Sequence, residues 1–284
     1  MSATAAATWR QAHDALRLVI PHAKREIFDD HLGENTMPWH RLFLVPPESV
    51  ARGGQVIDRL ARRALPMAPG TITLLPQGRR YRFEFTRGLA LIGFHFRLES
   101  FPGQDVLGAA VRIRQEPLAA AEAAEAWQAL GLDGADAWLR TEGLLRLHLG
   151  RLVTISWPAI NQAIGIHRRW GPTLTALQGT SGAIPSIQVL ARRAGLSRAY
   201  FTRRFHEDLG EHPRAWRARR IAEHASQRLL FGSESLQVIA ADLGFSDAFS
   251  FSRFVRRCLG QSPAHLRRDG PFGRTDPPAT QGAR

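Results

Sequence analysis

The sequence predicts an α+β multidomain fold: an N-terminal β-barrel, a helical segment, and an all-α C-terminal domain with two helix-turn-helix motifs. Three observations support this. Short apolar runs cut by Pro and Gly fill residues 39 to 101, Ala, Leu and Glu accumulate from Ala119, and one pattern is written twice near the C-terminus. Leu190-Ala191 leads to Gly195-Leu196-Ser197, and Ile239-Ala240 leads to Gly244-Phe245-Ser246 after 49 residues. A chain of 284 residues with 44% apolar content, 15 Phe and 7 Trp can fill two cores.

In order along the chain, Leu42-Val45, Ile72-Leu75, Tyr81-Phe85 and Leu89-Phe96 read as short strands of a sandwich or barrel. Few turn formers interrupt the sequence between Ala119 and Trp157-Pro158, which reads as helix. Within it Leu145, Leu149 and Leu152 form a stripe at i, i+4 and i+7, suited either to core packing or to pairing with a second subunit. Gly179 to Ser186 reads as a connector, and the Pro-rich chain after Asp269 as disordered, like the first several residues. The predicted divisions are 1–118 for the barrel, 119–169 for a helical dimerisation or linker segment, 170–268 for the double helix-turn-helix, and 269–284 for the tail.

The formal charge of +13 and the pI near 11.4 favour a polyanionic partner, nucleic acid or anionic membrane alike. Location narrows the choice. Ala183 to Arg268 holds 15 Arg and no Lys against 7 Asp plus Glu, a net of +8 on the repeat. Lys24 is the only Lys in the chain, a bias of the whole composition, so weight falls on Arg at particular positions. Cys258 is the sole cysteine, which excludes an intramolecular disulfide and a Cys-rich zinc framework and fits a reducing, cytoplasmic compartment. No secretory leader pattern opens the sequence, and no run approaches the roughly 20 apolar residues that span a bilayer. No membrane role is expected.

In the first copy, Ser197 is the expected N-cap of a helix whose inward face is Phe201, Phe205 and Leu209. Ala199, Thr202, Arg203 and His206 then face outward, where a small residue beside Thr and Arg can approach base edges. Arg203 is the natural bidentate partner of guanine, flanked by Arg198 and Arg204 as phosphate candidates. The second copy has Ser246 as expected cap, Phe251, Val255 and Leu259 inward, and one inserted residue, so the offset becomes 50. Its outward set is Phe249, Ser252, Arg253 and Arg256, with Ser250 at the edge, and its closing Gly260 and Pro263 match Gly210 and Pro213. Gly195 and Gly244 allow the positive φ of a steep turn, and Ala191 and Ala240 leave room for the crossing. Pro213 to Phe231 reads as one linking helix with Ala218, Ile221, Ala222, Ala225 and Leu229 buried. The duplicated motif points to double-stranded DNA, because A-form RNA grooves do not admit paired reading helices.

These residues resemble the AraC/XylS family of transcription regulators from about Pro172 to Arg268, most closely in GFSDAFSFSRFVRRCLGQSPAHLRR, Gly244 to Arg268. The resemblance implies a seven-helix domain whose base-contacting positions fall on Arg198, Ala199, Thr202 and Arg203, then Phe249, Ser250, Ser252 and Arg253. Arg204, His206, Arg256 and Arg257 are the phosphate candidates. Ser250-Phe251 departs from the more usual aromatic pair, so the first copy is expected to carry more of the specificity. A promoter or operator, RNA polymerase and a homodimer are the implied partners.

The resemblance extends to a cupin-like jelly-roll sensor in the N-terminal half. Gly70 to Tyr81 is similar to the second cupin motif, Gly-x5-Pro-x-Gly-x2-His, with Tyr81 where metal-binding cupins have His. His is absent between His40 and His95, so neither a metal nor another cofactor is expected. Arg41, Tyr81, Phe83 and His95 are the effector-binding candidates, with a lean toward a small polar ligand such as a sugar. His95 can serve that role or a structural one. No catalytic residue is assigned: a Ser-His-Asp arrangement, a phosphate loop and a tight carboxylate pair are all lacking, and Gly53-Gly54 reads as a hairpin turn. The alternative is a cupin-type sugar-modifying enzyme with an accessory DNA-binding domain.

Overall fold

A computed structural model describes residues 10–49, 53–101, 103–108, 111–175 and 185–272. Most of the expected connector, the first residues and the chain after Phe272 lie outside the described residues. Two compact units emerge, one of Met1–Val19, Arg97–Gly108 and Ile155–Pro263, the other of Ile20–Phe96, Ala109–Thr154 and Ala264–Arg284.

The strands are β1 (Arg17–Ile27), β2 (His31–Thr36), β3 (His40–Val45), β4 (Gly54–Asp58), β5 (Arg63–Pro66), β6 (Thr71–Leu75), β7 (Arg80–Phe85), β8 (Ala90–Phe101), β9 (Gln104–Asp105) and β10 (Arg114–Pro117). They form two sheets, ordered β1-β8-β3-β6-β10 with β9 on β8, and β2-β7-β4-β5. The expected barrel is thus realised as a two-sheet architecture. Phe43, Val45, Leu75 and Leu91 from one sheet meet Val56, Leu65, Tyr81, Phe83 and Phe85 from the other in one core. All six residues of β3 are buried; Leu42–Val45 form the expected apolar run, whereas His40 and Arg41 are buried polar side chains. In β7 Tyr81, Phe83 and Phe85 alternate with polar residues, the signature of a strand with one buried face.

Gly53-Gly54 is not a hairpin turn: Gly54 opens β4 opposite Phe85, in the other sheet from β3. Its φ is +97° and an added Cβ would lie 1.9 Å from the Glu84 carbonyl oxygen, so glycine is required for both reasons.

After the strands come α1 (Ala120–Ala129) and α2 (Ala135–Leu152). Leu145 and Leu152 of the predicted stripe are buried, Leu149 half-buried, and His148 joins the inward face. Arg25 fastens α1 to β1: its guanidinium stacks over the Trp127 ring and donates to the Trp127 carbonyl at 2.8 Å.

The C-terminal helices are α3 (Trp157–Thr175), α4 (Ile187–Arg193), α5 (Arg198–Leu209), α6 (Pro213–Phe231), α7 (Leu236–Asp242), α8 (Ala248–Leu259) and α9 (Pro263–Asp269). The linking helix has the predicted bounds, with Pro213 in its first turn, although Ala218 is only half-buried. The expected disordered tail is corrected at its start. Gly270–Phe272 form a 3-10 turn, and buried Phe272 packs edge-on against Phe28 at 5.1 Å, Phe83 at 5.5 Å and Phe85 at 5.6 Å.

Candidate nucleic-acid interface

The two copies turn in the same way. Gly195 and Gly244 take φ values of 67° and 82°, so each chain leaves its first helix through a left-handed residue. The bonds match too: Leu196 N donates to Ala191 O at 3.0 Å, and Phe245 N to Ala240 O at 2.9 Å. Gly210 and Gly260 close the reading helices α5 and α8 in the same left-handed conformation. Ser186 and Ser235 cap the first helix of each pair by accepting from Val189 N and Val238 N, so a Ser-x-x-Val signal also repeats, one that the turn motif alone does not reveal.

Ser197 caps α5 as expected, accepting from Tyr200 N at 3.3 Å. In the second copy the expected cap is corrected. Asp247, not Ser246, accepts from Ser250 N at 2.7 Å, while Ser246 donates its hydroxyl to Asp247. The backbone bond from Ser250 and the Ser246 hydroxyl hold the Asp247 carboxyl below its ordinary range.

Phe201, Phe205, Phe251 and Val255 point inward as predicted, with Leu209 and Leu259 half-buried, and Phe254 joins the buried set. Trp170 packs edge-on against Phe201 and Phe205, at 5.4 and 5.3 Å, and donates its indole N–H to Asp208 at 2.9 Å. Burial would raise the Asp208 carboxyl, but bonds from Arg169 and Trp170 bring it below its usual range. The end of α3 is thereby locked to α5.

On the opposite face Arg198, Ala199, Arg203 and His206 are exposed and Thr202 is half-exposed, lining an open depression with Glu207 and His212. In the second copy Phe249, Arg253, Arg256 and Arg257 are exposed, with Ser250 and Ser252 at the margin. One feature recurs that helical spacing did not predict. Arg203 lies over the exposed Tyr200 ring at 5.3 Å and Arg253 over Phe249 at 5.8 Å, so each outward guanidinium rests on an aromatic plate one turn back. Thr202 and Ser252 each donate their hydroxyl to the carbonyl four residues earlier, at 2.9 and 2.7 Å. Arg204 turns to Glu207 at 3.1 Å and Asp208 at 3.4 Å, whereas His206 stacks flat on His212 at 4.2 Å.

The four effector candidates also come together. Arg41 and His95 are cross-strand partners on β3 and β8, and the Arg41 guanidinium lies 5.5 Å over Tyr81 and 5.2 Å over Phe83. All four are buried, and the His95 ring sits 5.5 Å from that of His22. Burial lowers Arg41 to about 9 and takes His95 well below its ordinary value, helped there by Arg41 and His22. Among the described residues, no group of three or more His, Cys, Asp or Glu is arranged to hold a metal ion, and no helix is long and apolar enough to cross a membrane.

A matched pair of capped, glycine-turned helices with cationic outer faces defines a double helix-turn-helix module. Residues 190–269 match the family described as a helix-turn-helix domain. Over 91 residues the chain is 34% identical to the HTH-type transcriptional regulator Rv1931c of Mycobacterium tuberculosis, covering 32% of this chain and 35% of that protein. Over 83 residues it is 32% identical to the raffinose operon transcriptional regulatory protein RafR of Pediococcus pentosaceus, covering 29% and 30%. The chain therefore spans about a third of the length of these curated relatives. In overall fold it is similar to the crystal structure of an apo single-residue variant of ToxT from Vibrio cholerae, with a TM-score of 0.53 at 8% identity over 89% of this chain and 97% of that one.

Proposed function

We propose that the chain is a sequence-specific, one-component transcription regulator whose C-terminal module reads double-stranded DNA and whose N-terminal sandwich binds a small-molecule effector. The observation that carries this reading is the duplicated head, with an outward Arg on an aromatic plate in each copy. The names of both relatives describe transcriptional regulators. Arg198, Ala199, Thr202 and Arg203, then Phe249, Ser250, Ser252 and Arg253, face base edges, and guanidinium forks suit guanine O6 and N7. His206, Arg256 and Arg257 meet phosphates, as does Arg204 once it leaves its carboxylate partners. The 19-residue linking helix has a length of about 28 Å, suited to successive major grooves roughly 34 Å apart.

Arg41, Tyr81, Phe83 and His95 form the effector site, and the divisions 1–118, 119–169 and 170–268 separate sensing, dimerisation and DNA reading. The helix α3 runs unbroken from Trp157 to Thr175 and Trp170 packs on α5, so the join between the last two divisions falls within a helix that is tied to the DNA-reading module. The regulator works in the cytoplasm as a homodimer at a promoter or operator, with RNA polymerase. The cupin-type enzyme has no observation in its favour.

Selection of bound DNA from a random pool, followed by titration of variants, tests the reading. Arg203→Ala is expected to cost about 1–3 kcal/mol and to relax specificity at one base position. Arg253→Ala is expected to relax it less. A loss uniform across all sequences would remove Arg203 from base reading.

A further inference from the structure

The core between the two sheets contains a cation with unfilled donors and, beside it, the chain's own tail. Arg41 is 1% exposed, and its Nε and Nη1 reach no hydrogen-bond acceptor among the described residues. Its Nη2 donates to Asn35 Oδ1 at 2.6 Å, and Asn35 in turn donates its amide to the Pro271 carbonyl at 2.8 Å. The next residue, Phe272, inserts its ring among Phe28, Phe43, Phe83 and Phe85. Phe83 is shared, since it contacts both the Phe272 ring and the Arg41 guanidinium. An aromatic ring, a carbonyl acceptor and a buried cation with unfilled donors thus adjoin one another through Asn35 and Phe83, and the tail supplies only the first two. A buried charge without a counter-ion is costly, so an anion that reached Arg41 would be bound strongly.

We propose that this is the effector site, that it takes an aromatic carboxylate, and that Pro271-Phe272 occupies it as a tethered substitute which the effector displaces. The aryl group replaces Phe272, and the carboxylate completes Arg41. This rests on the reading of the N-terminal sandwich as a sensor, and it replaces a sugar with an anionic aryl ligand. A self-plugged site binds more weakly by the fraction of time it is open, so removing the plug raises apparent affinity.

The test uses the full chain with 3-phenylpropanoate as probe and 3-phenylpropanamide as the neutral control. By calorimetry, Phe272→Ala is expected to bind the acid about tenfold more tightly than the native chain, if the site is open about a tenth of the time. Arg41→Met is expected to lose the preference for acid over amide. In the native chain, hydrogen exchange over residues 264 to 272 is expected to rise on adding the acid, a sign that survives even if the variants fold poorly. Unchanged or slowed exchange there, or equal binding of acid and amide by the native chain, would overturn the proposal. DNA binding measured in parallel separates the two readings: its absence counts against the regulator, whereas intact DNA binding with no tail response counts against the plug alone.

Discussion

Asp247 shows how much one atom's placement decides at a helix start. Both Ser246 and Asp247 are good caps by type, and the shared Gly-x-Ser motif pointed to Ser246 by analogy with Ser197. The inserted residue in the second copy shifts the helix start by one, and the carboxylate takes the Ser250 amide while Ser246 only supports it. Asp247→Ala is expected to destabilise the module by about 1 kcal/mol, and Ser246→Ala by about 0.5 kcal/mol or less. Urea unfolding of both variants checks this, and the reverse order would restore Ser246 as the cap. The outward arginines were legible from helical spacing alone. Their aromatic plates were not, because Tyr200 sits three residues before Arg203 whereas Phe249 sits four before Arg253, so the repeat hides the equivalence.

The linking helix shows a similar division between what pattern reveals and what it does not. Its apolar face was readable from Ile221, Ala222, Ala225 and Leu229, but Glu223 and Arg220 are buried on the same helix. Their burial depends on residues far away in sequence, which no periodicity reports. Glu223 accepts from Arg97 at 2.6 Å, Arg219 at 2.9 Å and Arg220 at 2.5 Å, and Arg219 also donates to the Gly103 carbonyl. Burial would raise the Glu223 carboxyl, but the three guanidiniums, Arg97 foremost, bring it down to about 2. A folded value below the ordinary 4.5 contributes stability that is present above that pH and is lost as pH falls from 4.5 towards 2. Glu223→Gln is expected to cost about 3–5 kcal/mol at neutral pH, as a buried pair broken on one side does. It should also flatten the acid limb below 4.5, a signature that plain loss of packing would not give. The strands repeat the lesson at the sheet edge. β1 ends the sheet order, where a Pro such as Pro21 is tolerated, and most of its residues, Lys24 and Arg25 among them, are only half-buried or exposed, so its sequence does not read as a strand.

At the scale of the whole molecule, the arginines divide by what they pair with. Much of the Arg content is spent in ion pairs, as with Arg228 to Asp242 at 2.8 Å and Arg169 to Asp208 at 2.8 Å, which leaves Arg203, Arg253 and Arg256 exposed on the reading faces. The net charge is therefore a poor guide to which arginines are left exposed on these faces. Burial of imidazoles, rather than these surface pairs, sets part of the acid response. His22 falls to about 4 through burial and then the Lys24 charge, His224 to about 4 through burial and then Arg220, and His95 falls well below its ordinary value. In each case the unfolded chain takes up a proton near 6.5 that the folded chain refuses until a much lower pH. The unfolded state thus binds more protons across that interval, so stability is full above 6.5 and declines as pH falls towards 4, with a limit of about 1.4 kcal/mol per pH unit for each proton. This window opens well above that of Glu223, so the two are separable in one titration. Urea midpoints measured between pH 7 and 5 should fall steadily in the native chain and fall less in a His22→Gln, His224→Gln double variant. A flat midpoint over that range would mean that the half-buried imidazoles are accommodated as cations in the folded chain.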